Sequence, residues 1–153
     1  MARWFVAMIA ILVGLEGCSP GRAPFRMVQF CLAGPQEIPA FTSFMDEIAQ
    51  QSRLEFTDRS GQADDELRSL ASDNHNVPLN GRLLNIGADR SGEVSFSACN
   101  LGLPANQIVV GFNGKNVSAA RQFATAVIEK LSAHWHVHQV PAGQGAKPLA
   151  DCD

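Results

Sequence analysis

The stretch at residues 107–131 constrains the fold of this chain more than any other. Gln107-Ile108-Val109-Val110-Gly111-Phe112 is a short run of β-branched and aromatic residues ended by Asn113-Gly114, the pattern of a strand and its turn. Shortly after it, Ala120, Phe123, Ala124, Val127, Ile128 and Leu131 recur at helical spacing and draw one continuous apolar stripe. Ser118 is the expected N-cap, placed to accept an orphan backbone N–H of the first turn. A strand feeding an amphipathic helix must bury both apolar faces in one core, so a layered domain follows.

The same two periods run through the rest of the chain. Residues 25–33 alternate, with Val28, Phe30 and Leu32 on one face and Met27, Gln29 and Cys31 on the other, predicting a first strand that Gly34-Pro35 stops. Pro39 marks a helix start, where its missing N–H costs little. Phe41, Phe44, Met45 and Ile48 then give an amphipathic helix to about Arg53. A second strand is expected over 54–58. Residues 60–76 form an irregular insert, in which Asp64, Asp65 and Glu66 suit the first turn of a short helix containing Leu67 and Leu70. A loop follows at 73–78. Two strands at 82–88 and 93–98 are joined by Asp89-Arg90-Ser91-Gly92, a hairpin turn by composition. Leu103-Pro104-Ala105-Asn106 turns the chain again. A last strand is expected over 135–140, and residues 141–153 form a Gly/Pro-rich tail without periodicity. This order predicts an α+β domain: an elaborated ferredoxin-like sandwich, with two main helices on one face of an antiparallel sheet and the other face partly open.

With 153 residues the chain suits one domain. Its net charge of −3 and lack of a Lys/Arg block argue against nucleic acid and against a polybasic membrane patch, both of which need clustered positive charge.

The first residues carry an address. Arg3 precedes an apolar run at 4–13, followed by small residues, which is the order of a secretory signal. The run is shorter than the roughly 20 apolar residues of a membrane span. Leu15-Glu16-Gly17-Cys18 resembles the lipobox of bacterial lipoproteins, with Leu15, Gly17 and Cys18 matching and Glu16 standing where the family has a small residue. The resemblance implies removal of a signal peptide at 1–17 and lipidation, with palmitate among the acyl chains, of Cys18. It also implies attachment to the bilayer, with Ser19 directing the protein to the outer membrane facing the periplasm. Residues 18–24, Pro/Gly-containing, then form a tether, and residues 25–153 a single domain. Each buried CH₂ of an acyl chain contributes about 0.8 kcal/mol, so several chains make the attachment effectively permanent.

If Cys18 is lipidated, Cys31, Cys99 and Cys152 remain. An oxidising compartment then predicts one disulfide and one spare thiol, with three pairings open. Cys31 and Cys99 both alternate with apolar neighbours and so fall on the sheet face away from the helices. Cys152 could staple the tail across that face. In a ferredoxin-like order the third and last core strands run the same way, which favours Cys99–Cys152 over Cys31–Cys152. Closing so long a loop contributes roughly 4 kcal/mol in the chain-entropy model. All three cysteines could instead be small buried hydrophobes, and no C-x-x-C pair points to redox catalysis.

Candidate chemistry is sparse. His134, His136 and His138 would share one face of a strand, and two such imidazoles can hold Zn²⁺ or Cu²⁺ if a neighbouring strand supplies a third ligand. The competing reading is a half-exposed last strand with His134 closing the helix, and no cofactor is expected. Ser95 and Ser97 read as outward strand positions and lack a Gly-x-Ser-x-Gly context. A Cys31 or Cys99 pairing with the histidines is disfavoured by the disulfide reading. Gly111-Phe112-Asn113-Gly114-Lys115 is too short for a phosphate loop and reads as a turn. These features predict a non-catalytic envelope lipoprotein that binds a protein partner or assists assembly. The alternatives are an immunity or inhibitor lipoprotein, with Asp64 to Glu66 meeting a basic toxin, and a metal-binding domain built on the histidines.

Overall fold

In the computed structural model, residues 23–73 and 82–152 are described, with the side chains of 70–73 set aside. The signal segment, Cys18, the tether up to residue 22 and the loop at 74–78 lie outside the described residues. Within them the chain is α+β, with six strands in one open antiparallel sheet and three helices.

The strands are β1 (Arg26–Cys31), β2 (Glu55–Asp58), β3 (Asn85–Arg90), β4 (Val94–Cys99), β5 (Gln107–Asn113) and β6 (His138–Val140); the helices are α1 (Ile38–Gln51), α2 (Ser60–Asp73) and α3 (Val117–Ser132). The sheet order is β2-β3-β4-β5-β1-β6, with every neighbouring pair antiparallel.

Alternation sorts each strand between two environments. Val28, Phe30, Ile86, Ala88, Val94, Phe96, Ala98, Ile108, Val110 and Phe112 point to one face and are buried there. Against them pack Phe41, Met45 and Ile48 of α1 and Ala120, Ala124, Val127 and Leu131 of α3, in one continuous core. Aromatic rings join the layers. Phe30 stacks on Trp135 at 5.1 Å and meets Phe41 edge-on at 5.6 Å, while Phe123 of α3 lies 6.2–6.3 Å from Phe96 and Phe112. Such pairs contribute about 0.5–1.5 kcal/mol beyond their buried area.

Four boundaries differ from expectation. The cap of α3 is Asn116, whose side chain accepts from the N–H of Ala119 at 3.1 Å, so the helix starts one residue before Ser118. The insert is a regular helix from Ser60, its charged residues lying in the second turn; Gln62 and Glu66, and Asp64 and Arg68, pair one turn apart at 2.8 Å. The third strand begins at Asn85 rather than 82, because Asn100 holds the approaching chain. Its amide, 2% exposed, accepts from Leu84 N–H and donates to the carbonyls of Arg82 and Ala105. Lastly, the expected strand at 135–140 shortens to His138–Val140. The N–H groups of His134 and Trp135 both bond the Leu131 carbonyl, extending the last turn of α3.

Candidate functional site: the open face of the sheet

The strand positions that alternate with the core make the opposite face, and it has two halves. On the β1/β5 half lie Gln29, Cys31 and Gln107. The tail turns back after β6, with Gln144 N–H bonding the Pro141 carbonyl, and crosses this half. Gln29 Nε2 donates to the Lys147 carbonyl at 2.9 Å; Gln107 Nε2 donates to the Leu149 carbonyl at 2.9 Å, and its Oε1 accepts from Leu149 N–H at 2.8 Å. Cys152 is then disulfide-bonded to Cys31, with their Cα atoms 5.4 Å apart and the two cysteines 121 positions apart in sequence.

This corrects the favoured Cys99–Cys152 pairing. β6 lies directly against β1, with His138 opposite Gln29 and Val140 opposite Met27. The tail leaves β6 at the start of β1 and returns along β1 and β5, so it ends at Cys31, the last residue of β1. Cys99 stands opposite Val109 on the far side of β5. The expected spare thiol is also not found among the described residues, where no cysteine is free.

On the β2–β5 half the face is open among the described residues. Thr57, Gly87, Ser97 and Gly111 stand opposite one another in successive strands and form one row across the sheet. Three interstrand spacings make that row about 14 Å long. Its residues are small or lack a side chain, so it sinks into a cleft of about 460 Å³. Glu55, Asp89, Ser95 and Asn113 form the neighbouring row on one flank; Arg59 and Asn85 line the other, and Lys115 closes one end. At the β5 end Pro24 lies on the floor, its ring carbons 3.2–3.3 Å from where a Cβ of Gly111 would sit.

The chemistry of this cleft is that of hydroxyls, amides and balanced charge. Two carboxylates and two cations line it, which suits neither a polyanion nor a phosphate cluster. Asp89 is committed to the hairpin, accepting from Gly92 N–H at 2.9 Å. Of the glycine-containing segment at 111–115, the first three residues belong to β5; the chain turns only after Asn113, where Lys115 N–H bonds the Gly92 carbonyl at 2.9 Å against the β3–β4 hairpin.

Of the three histidines expected on one face, two are brought together and His134 is not. His134 belongs to the end of α3 and packs on Phe44 at 5.2 Å, while the His136 and His138 rings meet edge-to-face at 4.6 Å at the sheet edge. Among the described residues no group of three His, Cys, Asp or Glu could hold a metal. Ser95 and Ser97 on β4 are separated from that edge by β5 and β1, so no serine–histidine pair forms there. In α2, Asp64 lies 2.8 Å from the Arg68 guanidinium and raises its pKa above the ordinary arginine value, through a hydrogen bond first and charge second.

Sequence reasoning missed Gln29, Gln107, Asn100 and the Thr57–Gly111 row. Polar residues alternating with apolar ones read as solvent-facing, and a row across four strands becomes visible only with the register. Among the described residues no helix is long and apolar enough to cross a membrane. Comparison with protein-family models, curated proteins and solved structures gives no match for this chain.

Proposed function

We propose that this chain is a bacterial envelope lipoprotein, anchored in the outer membrane through acyl chains on Cys18 and facing the periplasm. Its domain serves as a non-catalytic module that binds a protein partner or assists assembly. The observation that carries the binding half is the row Thr57, Gly87, Ser97 and Gly111, a floor of small residues that among the described residues only Pro24 covers, at its Gly111 end. The anchoring half rests on the apolar run at 4–13 and on Leu15, Gly17 and Cys18.

The finer fold reading supports the same picture. The order β6-β1-β5-β4, with α1 and α3 packed on one face, supports reading the domain as a ferredoxin-like sandwich elaborated by β2, α2 and β3.

Cys18→Ser tests the anchor. The wild-type chain takes up radiolabelled palmitate and stays with the membrane fraction, whereas the variant loses both. Unchanged labelling of the variant refutes the assignment.

A further inference from the structure

The amides beneath the tail form a site of a different kind from the open cleft. Gln29 and Gln107 are 3% and 2% exposed, and Gln29 Nε2 also reaches Gln107 Oε1 at 3.3 Å. Gln107 engages both the N–H and the carbonyl of Leu149, as a neighbouring strand residue would. Gln29 engages the carbonyl two residues earlier, at Lys147. All three bonds go to tail backbone at alternate positions. The pair therefore reads an extended chain and not its side chains.

The hold on that chain depends on one covalent clasp. Along residues 141–152 only Ala146, Leu149 and Cys152 are half-buried, and the rest are exposed. Three hydrogen bonds contribute less than the conformational entropy lost in ordering such a length. Cys31 is half-buried like Cys152, which leaves the bond accessible to a thiol at the end of β1.

We propose that the Gln29–Gln107 pair is a binding site for the backbone of an extended peptide, filled in cis by the tail and opened by reduction of the Cys31–Cys152 disulfide. The reductant is a dithiol. One of its thiolates attacks a sulfur of the disulfide to give a mixed disulfide, and the second displaces it. Cys31 and Cys152 are left as thiols, carrying the two hydrogens of the dithiol, which is itself oxidised to a disulfide. An extended segment of a partner then takes the bonds of Lys147 and Leu149, a form of recognition through main-chain hydrogen bonds. This site goes beyond the anchor reading and does not depend on Cys18.

The test compares the full chain with its Cys31→Ser/Cys152→Ser variant, which opens this clasp without touching Cys99. The probe is a peptide of the chain's own residues 144–152, with serine at the cysteine position. In the wild-type chain the Leu149 amide is protected from hydrogen exchange, and the peptide leaves the Gln29 and Gln107 side-chain NMR signals unmoved. In the variant that amide exchanges about tenfold faster or more, while the β1 and β5 amides keep their protection. The two glutamine signals then shift saturably with peptide, and adding Gln107→Leu abolishes the response. Unchanged protection of Leu149 in the variant would overturn the proposal. So would loss of protection throughout β1 and β5, or a released tail with no saturable shift.

Discussion

Gln107 and Leu149 are joined at both ends of one side-chain amide: Oε1 accepts from Leu149 N–H at 2.8 Å and Nε2 donates to the Leu149 carbonyl at 2.9 Å. Leucine has a similar size and neither group. Gln107→Leu in the oxidised chain should lower stability by about 1–3 kcal/mol, because Leu149 and Gln29 lose buried partners. Urea unfolding measures it; an unchanged midpoint would show that the Gln107–Leu149 bonds do not stabilise the fold.

Asn100 holds three backbone groups at once, from Leu84, Arg82 and Ala105. Asn100→Ala leaves them without that partner and opens a small void, at a cost of about 2–4 kcal/mol. The same unfolding curve reads the effect. A loss below about 0.5 kcal/mol, the level of an ordinary surface change, would contradict the clamp role.

Two glycines should respond in opposite directions. A Cβ on Gly114 would press into the Glu93 carbonyl and lie 2.8 Å from the Ala120 Cβ, so Gly114→Ala should destabilise by about 1–3 kcal/mol. Gly61, in the first turn of α2, has nothing within 4 Å of its Cβ position. Gly61→Ala should therefore stabilise by about 0.4–1 kcal/mol, by narrowing the unfolded ensemble and favouring the helix. Thermal melts of the two variants on either side of wild type are the expected result.

Zinc should have little to act on at the sheet edge. Among the described residues, His134 sits at the end of α3 against Phe44, which leaves His136 and His138 as the histidines in ring contact. One equivalent of Zn²⁺ should leave the melting temperature unchanged, since two imidazoles fall short of the three protein ligands that even an open zinc site keeps. A clear rise that disappears in His136→Ala would restore the metal reading.

Much of the fold was legible because burial imposes a period. Phe41, Met45 and Ile48 in α1, the Ala120-to-Leu131 stripe in α3, and Val28 and Phe30 in β1 face the core as their spacing predicts. The expected hairpin does join β3 to β4, but β3 runs on through Asp89 and Arg90 and the turn is residues 91–93, with Ser91 and Gly92 at positive φ. α2 was only half legible, since a helix held by Gln62–Glu66 and Asp64–Arg68 pairs carries little apolar signal. The site was least legible. The Cys31–Cys152 pairing follows from where the tail leaves β6, a consequence of the β1–β6 register that no local pattern encodes. Gln29 and Gln107 are buried because a segment more than 40 residues away covers them, and alternation alone marks them as outward polar residues.

Lipidation of Cys18 is tested by peptide mass mapping of chain purified from bacterial membranes without reduction. The expected result is an N-terminal peptide that begins at Cys18 and carries acyl chains, alongside a linked pair of peptides containing Cys31 and Cys152. A mature chain starting elsewhere, or a Cys18 peptide joined by disulfide to Cys99, would contradict the lipid anchor.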